Sequence, residues 1–206
     1  RMRDQMRQVK EQDEARIWTT EGLSKFGDII RKNQNNIATL AEALVANVVT
    51  YVDAKVAGLF MLEENEDEEN LKLMASYAYD RKKYIDRRIE IGEGLVGQSF
   101  IEARTIYLTK VPDHYISITS GLGQANPSAL LIIPLKANEK IEGVLEVASL
   151  KKFKPHEIAF LEKLAELVAS SLVNVRTVER TNNLLQTSQQ QGEMMRAQEE
   201  EMRQNM

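Results

Sequence analysis

Apolar residues recur along the chain with two different periods, and the first clear period is helical. Residues 37–52 place Ile37, Leu40, Leu44 and Val48 three or four positions apart. That spacing puts these side chains on one face of an α-helix. The segment is therefore predicted to be an amphipathic helix that buries this face.

Helical spacing also occurs at both ends of the chain. Residues 1–16 are charged and residues 17–30 are more apolar, and Gly22 and Gly27 weaken the second segment. Pro155 suits the first position of a helix, and helix-forming residues continue from there to the end of the printed sequence. We expect a chain that begins and ends inside helices to be a fragment of a larger signalling protein.

Between these helices the apolar positions follow the pattern of strands. An acidic run at 63–69 predicts a solvated hairpin loop. Residues 81–84 are predicted to form one helical turn, and residues 95–103 a short helix. The predicted strands are 55–63, 71–79, 87–91, 106–108, 128–136 and 140–150.

This order of elements predicts an α+β fold. We expect a single antiparallel six-stranded sheet with helices on both faces, flanked by long N- and C-terminal signalling helices. Helices 37–52 and 155–180 should cover one face, and the small inserted elements should cover the other.

Composition excludes several classes of function. The formal net charge is −4 and no basic stripe is present, so nucleic-acid binding is not expected. The chain has no cysteine, which excludes disulfides and thiol chemistry and fits a cytoplasmic protein. The longest apolar run, 129–133, is too short to cross a bilayer, so no membrane contact is expected from this chain. A membrane anchor elsewhere in a larger protein would be compatible with this sequence. No cofactor is expected.

Three motifs in order resemble the GAF domain family: the sequence GEGLVGQ at 92–98, the strand 130–135 followed by IEGVLEV at 141–147, and Phe153 with Pro155 and Glu157 at the start of the last helix. The resemblance covers about residues 20–178. Segments 113–123 and 198–206 are similar to bacterial multidomain sensors, often histidine kinases in which a PAS domain follows the GAF domain. The resemblance implies a linker helix at 1–30, a GAF domain at 31–170 and a coiled-coil linker at 171–206 that leads to a downstream domain.

The resemblance also implies a small-molecule pocket between the sheet and the inserted elements. Members that bind cyclic nucleotides carry an Asn-Lys pair and a later Phe-x-x-x-Asp-Glu, whereas here Glu139 follows Asn138 and Ile158 follows Glu157. Cyclic nucleotides are therefore not expected to bind. The candidate pocket residues are Phe60, Tyr77, Tyr79, Leu95, Phe100, Tyr107, His114, Tyr115, Ile118, Leu131, Ile133 and Glu146.

Several of these residues have a purely structural interpretation as well. Glu146 lies within an apolar strand, where it is either a hydrogen-bonded structural carboxylate or a polar anchor for a ligand. His114 is either a surface residue or part of a lid, and no metal site is expected because it has no companion ligands. The glycines at 92, 94 and 97 indicate a tight turn, since no Lys-Ser/Thr follows to form a phosphate loop.

Catalysis is not expected. Ser117 and Ser120 lie near His114 in sequence, but no carboxylate is placed to orient the histidine. An enzyme on the same fold is the remaining alternative from a different functional class.

The last helix carries an apolar frame that predicts a homodimer through the terminal helices, with the alternative that its first part only covers the core. We expect a sensory module that binds a small ligand or a partner, and the rival is a ligand-free dimeric spacer. The predicted seam residues are Leu161, Leu164, Val168, Val175, Val178, Asn182 and Leu185.

Overall fold

The computed structural model describes residues 2–64, 69–78, 81–83, 87–113, 115–116, 118–120 and 123–204. The helices are α1 (Met2–Lys32), α2 (Ile37–Tyr51), α3 (Gly94–Glu102) and α4 (Pro155–Gln204). The strands are β1 (Val56–Glu64), β2 (Glu69–Ala78), β3 (Arg81–Lys83), β4 (Arg88–Glu90), β5 (Ile106–Leu108), β6 (Ile118–Ser120), β7 (Gly123–Ala125), β8 (Ala129–Ala137) and β9 (Lys140–Ser149).

The main sheet is antiparallel and six strands wide, in the order β3-β2-β1-β9-β8-β5. β4 pairs with the beginning of β2 and β3 with its end, so both short strands extend the same edge. β6 and β7 form a separate two-stranded ribbon. The predicted α+β fold with a six-stranded antiparallel sheet is confirmed.

Helices α1, α2 and α4 form the layer on one face of this sheet. α2 packs on β1 and β2, α4 packs on β8 and β9, and α1 packs on the two helices. The other face carries a second apolar cluster that includes α3 and the chain after β5. The sheet thus separates two cores, as an α+β layer arrangement requires.

α1 is one helix of 31 residues, and it runs unbroken through Gly22 and Gly27, which were expected to weaken its second half. A Cβ atom added at Gly22 would lie 2.6 Å from a ring carbon of Phe160 and 2.7 Å from one of Tyr51. Trp18 stacks on Tyr51 with ring centroids 4.7 Å apart. Gly22 therefore permits a close approach of α1 to Tyr51 and Phe160, and the packing outweighs its low helix propensity.

Residues 81–84 were predicted to form a helical turn, and this is wrong for the described part, Arg81–Lys83. These residues form β3 and pair with β2 from Ser76 to Ala78. Pairing with an open sheet edge satisfies their backbone groups, which a single isolated turn of helix would leave largely unpaired.

The first half of the predicted seam on α4 also needs correction. Leu161, Leu164, Val168 and Val175 are buried inside the single chain, in the core cluster beneath the three helices. Val178 and Leu185 are exposed, and so is Asn182. The apolar frame therefore serves the domain's own core up to Val175, and only its continuation is available to a second chain.

Candidate functional site

The candidate site lies on the face of the sheet opposite the three helices. Its floor is formed by side chains that alternate with the helix-facing ones along the central strands. Residues 109–113 and 115–116, together with α3, lie over this floor through partly buried apolar residues, among them Leu95, Phe100 and Val111. The buried floor residues are Phe60, Leu62, Leu71, Leu130, Ile132, Val144 and Ala148.

One carboxylate interrupts this apolar surface. Glu146 lies in β9 opposite Ile132 of β8 and Gly58 of β1, and its exposed fraction is 8%. The Tyr115 hydroxyl donates a hydrogen bond to Glu146 Oε1 over 2.9 Å. Since a buried carboxylate needs a donor, this hydrogen bond holds Tyr115 and the adjoining Ile116 at the middle of the sheet.

Burial determines the protonation of this pair. Desolvation raises the pKa of Glu146 above its ordinary value, although the hydrogen bond from Tyr115 and the positive charge of Arg87 act in the opposite direction. Desolvation and then the Glu146 charge raise the pKa of Tyr115. Tyr115 therefore remains a hydrogen-bond donor throughout the physiological pH range.

Glycines shape the strands and turns around this floor. A side chain at Gly143 would overlap the carbonyl oxygen of Phe60, next to a register shift in β1. Gly92 and Gly94 have φ angles of +90° and +61°, and a Cβ at Gly97 would lie 2.7 Å from the Gly92 nitrogen. These contacts support the interpretation of the 92–98 motif as a tight turn rather than a phosphate loop.

The structure brings some predicted pocket residues together on this face. Phe60, Leu95, Phe100, Tyr115 and Glu146 all line the candidate site. Ile118 is buried at the start of β6. Tyr79 and His114 lie outside the described residues.

Four predicted pocket residues lie elsewhere, and this corrects the prediction. Tyr77, Tyr107, Leu131 and Ile133 contact the core on the helix side of the sheet. Tyr107 accepts a hydrogen bond from the Phe153 amide at 3.1 Å, which ties β5 to the start of α4. All four residues point to the helix side of the sheet instead of the candidate site, since neighbouring side chains of a strand point to opposite faces.

Because the prediction chose the wrong face of these strands, it did not include Leu130, Ile132 and Val144, which do line the candidate site. β8 is buried on both faces, so its apolar run has no polar positions that would distinguish one face from the other. The polar Glu146 within the apolar β9 was a sequence signal for this face, and the structure then pairs it with Ile132.

A second group of polar contacts holds α4 at the point where it leaves the sheet. Arg176 donates a hydrogen bond to the carbonyl oxygen of Leu62 at 2.9 Å and to Glu142 Oε2 at 3.4 Å. Glu179 accepts a hydrogen bond from the amide of Ile37 at 2.9 Å. Two neighbouring turns of α4 thus contact β1, β9 and the first residue of α2.

Two absences apply to the described ranges. Within them, no group of three or more histidine and acidic side chains could hold a metal ion. No helix in the described part of the chain is both long and apolar enough to cross a membrane.

An antiparallel sheet with long helices on one face, and a small helix and connections over the other, is a layered α+β architecture. The sequence profile of the GAF domain family matches residues 34–173, which is more than half of the chain. The chain therefore belongs to the GAF domain family, whose members generally serve regulatory or sensory roles.

Solved structures share this fold. The GAF domain of a phosphoenolpyruvate-protein phosphotransferase from Coxiella burnetii is 20% identical, with a TM-score of 0.63 over 78% of this chain and 96% of that chain. The free methionine-R-sulfoxide reductase of Neisseria meningitidis, in complex with its substrate, is 18% identical, with a TM-score of 0.62 over 80% and 93% of the two chains. The GAF-B domain of DevS from Mycobacterium smegmatis is 17% identical, with a TM-score of 0.55 over 71% and 99%. No curated protein matches the chain significantly.

Proposed function

We propose that this GAF domain is a sensory module of a bacterial signal-transduction protein. It binds a small ligand between the sheet and the residues that cover this face, among them Val111 and Tyr115, and passes the change through its terminal helices to a downstream domain. Because the sequence of this chain resembles histidine-kinase sensors, we expect the downstream part to be a PAS domain followed by a kinase output.

The observation that carries this proposal is that the candidate site and the output helix share two strands. Leu130 and Ile132 of β8 face the candidate site, while Leu131 and Ile133 face the helices. α4 packs on β8 and β9 and continues without a break to Gln204. A ligand that shifts these strands therefore acts on the surface against which α4 is packed.

Signalling by this route needs two packings of the helices with similar free energies. A ligand that binds one packing more tightly than the other shifts the population toward it. Tyr115 is suited to this role because its hydroxyl holds the covering segment to Glu146 at 2.9 Å. A ligand that competes for Glu146 would release or reposition that segment.

A homodimer through the terminal helices is part of the proposal. On α1, the exposed residues Met2, Met6, Val9 and Ile17 lie on the side of the helix opposite to the stripe that contacts the core. On α4, Val178 and Leu185 are also exposed. A second copy would remove these apolar side chains from water.

A ligand-free dimeric spacer is the second candidate, and one contact favours it. Tyr115 already satisfies Glu146 within the chain, so the carboxylate does not require a ligand for its hydrogen bond. In that case the Tyr115–Glu146 pair is a structural fastening and the domain sets only the spacing and pairing of its helices.

An enzyme on this fold remains the least favoured candidate. Structures similar to this chain include free methionine-R-sulfoxide reductases. This chain has no cysteine, and thiol-based reduction has no nucleophile here. We expect no turnover when free methionine-R-sulfoxide is supplied with a reductant.

Native mass spectrometry of the purified chain separates the sensory module from the spacer. The sensory proposal predicts a bound small molecule that is lost or reduced in Glu146→Gln, while Glu166→Gln on the exposed face of α4 retains it. The ligand-free mass alone, in every preparation, would support the spacer.

Calorimetry with cyclic AMP and cyclic GMP is expected to show no binding, and micromolar affinity for either would contradict the sequence inference.

A further inference from the structure

A cleft of about 340 Å³ lies on the helix side of the sheet, where α4 leaves it. Its walls come from β1, β2, the start of α2 and the middle of α4. Part of the lining is apolar, and four charged residues complete it. The lining residues are Ile37, Met61, Leu62, Met74, Glu63, Lys72, Arg176 and Arg180.

The carboxylate of the cleft is already engaged. Glu63 pairs with Lys72 at 3.2 Å and with Arg88 at 3.1 Å. The hydrogen bond from Arg88 and the nearby lysine lower the pKa of Glu63 below its ordinary value. Glu63 is therefore ionised and shared between two cations, and it does not neutralise the arginines across the cleft.

The arginines of α4 supply the remaining charge. Arg176 is directed at Leu62 O and, over a longer 3.4 Å, at Glu142. Arg180 follows one helical turn later and is exposed, and no described residue forms a hydrogen bond or ion pair with its guanidinium. The nearby Glu179 carboxylate is directed at the Ile37 amide instead. The cleft thus carries an excess of positive charge centred on Arg180.

We propose that this cleft is a second binding site, separate from the candidate site on the other face of the sheet, and that it takes a small dianion of the phosphate or dicarboxylate class. Arg180 offers its guanidinium fork and Lys72 its ammonium group from the opposite wall, and both groups match oxyanions. Arg176, which is paired with Glu142, lines the same cleft one helical turn before Arg180. The thioethers of Met61 and Met74 accept the carbon part of an organic anion.

The position of the cleft suggests what the dianion does. Arg180 lies on α4 just beyond the last residue of α4 buried in the core, Val175, whereas Lys72 lies on β2 of the sheet. An anion held by both would add a further link between the departing helix and the sheet, one helical turn beyond the contacts of Arg176 with Leu62 and Glu142. It would favour one direction of α4 on leaving the domain, whether or not a ligand occupies the opposite face.

Isothermal titration calorimetry at pH 8 and constant ionic strength tests the proposal with two dianionic probes, inorganic phosphate and succinate. We expect saturable binding of one probe molecule per chain. Arg180→Ala should weaken it by about ten-fold or more, as expected for the loss of a charge-assisted contact. Arg203→Ala is the control, because it removes the same charge from the same helix far from the cleft.

A second variant guards against an indirect effect of Arg180. Lys72→Met should also weaken binding while far-UV circular dichroism stays unchanged. Failure of both probes to bind at millimolar concentration overturns the proposal. Equal weakening in Arg180→Ala and Arg203→Ala overturns it as well, since it would show only general attraction of anions to the helix. Neither outcome bears on the native mass experiment at the opposite face.

Discussion

At the scale of single residues, glycines that look alike in the sequence have different roles. Gly22 and Gly27 both interrupt the predicted α1, yet only Gly22 touches neighbouring rings. A Cβ at Gly27 would meet nothing within 4 Å. The pair therefore separates the effect of close packing from the effect of helix propensity.

Gly22→Ala is predicted to destabilise the domain by about 1–3 kcal/mol, because the rings of Tyr51 and Phe160 must move to admit the methyl group. Gly27→Ala is the matched control and should stabilise by up to about 1 kcal/mol, the usual gain from replacing glycine in a helix. Urea unfolding of both variants measures the difference. Equal stabilisation by the two substitutions would contradict the packing at Gly22.

Glu146 gives a prediction for pH. Its folded pKa lies above the unfolded value, so its contribution to stability is complete below the unfolded pKa and is lost as pH rises through the folded pKa. Glu146→Gln stays neutral throughout. The stability of this variant relative to the unsubstituted chain should therefore increase from about pH 4 to pH 7, the range above the ordinary glutamate pKa.

Tyr115→Phe tests the other partner of the pair. Removing the hydroxyl leaves the Glu146 carboxylate without its hydrogen-bond donor, and should cost about 1–3 kcal/mol at pH 7. The cost should shrink at acidic pH, where Glu146 is protonated and needs the donor less. Urea unfolding across this pH range checks both variants, and differences that do not change with pH would contradict a buried, perturbed carboxylate.

At the scale of elements, α4 changes its role along its length. Up to Val175 its apolar residues belong to the core of one chain, and after it Val178, Asn182 and Leu185 are exposed. If these three continue as a seam, Asn182 is at an a position of the heptad. Paired asparagines at such positions favour parallel dimers in one register at some cost in stability.

Asn182→Leu is therefore predicted to raise the melting temperature, by about 2–4 °C for each kcal/mol gained in a chain of this length, while oligomeric state or register becomes less defined. Asn183→Leu, one position away on the outer side of the same helix, is the control. Thermal melting combined with light scattering compares the three chains. A lower melting temperature with an unchanged dimer would show that Asn182 is not at a seam.

At the scale of the whole molecule, the two helical extensions leave the domain in different places. Trp18 of α1 meets His156 and Phe160 near the start of α4, with ring centroids 5.2 and 5.0 Å away. The residues of α1 before Trp18 extend from that end. The free part of α4 extends from the other end, where Glu179 contacts the start of α2. A module with this shape can be inserted between an upstream and a downstream partner.

We expect the chain to be a dimer in solution, because exposed apolar residues on both extensions would otherwise remain in water. Val178→Glu combined with Leu185→Glu should produce a monomer with unchanged far-UV circular dichroism. Thr177→Glu with Leu184→Glu has the same spacing on the outer side of the frame and should leave the dimer intact. Light scattering at high micromolar concentration distinguishes these results, and a monomeric unsubstituted chain would refute the dimer.

The sequence by itself determined the local elements and the family. The period of apolar residues identified the amphipathic α2 and the strands β1, β2, β4, β5, β8 and β9, because such patterns depend only on neighbouring positions. The glycine turn at 92–98 and the paired strands β8 and β9 were sufficient for the resemblance to GAF domains. Glu146 and Tyr115 are both predicted as site residues from the sequence, and a hydrogen bond joins them in the structure.

Only the tertiary structure decided which side of the sheet each residue serves. β8 is apolar on both faces, so Leu131 and Ile133 could not be separated from Leu130 and Ile132 by pattern. α1 is continuous at Gly22 because rings from distant parts of the chain approach it there. The division of α4 at Val175 depends on where the sheet ends beneath it. These features depend on contacts between residues far apart in sequence, and no local pattern encodes them.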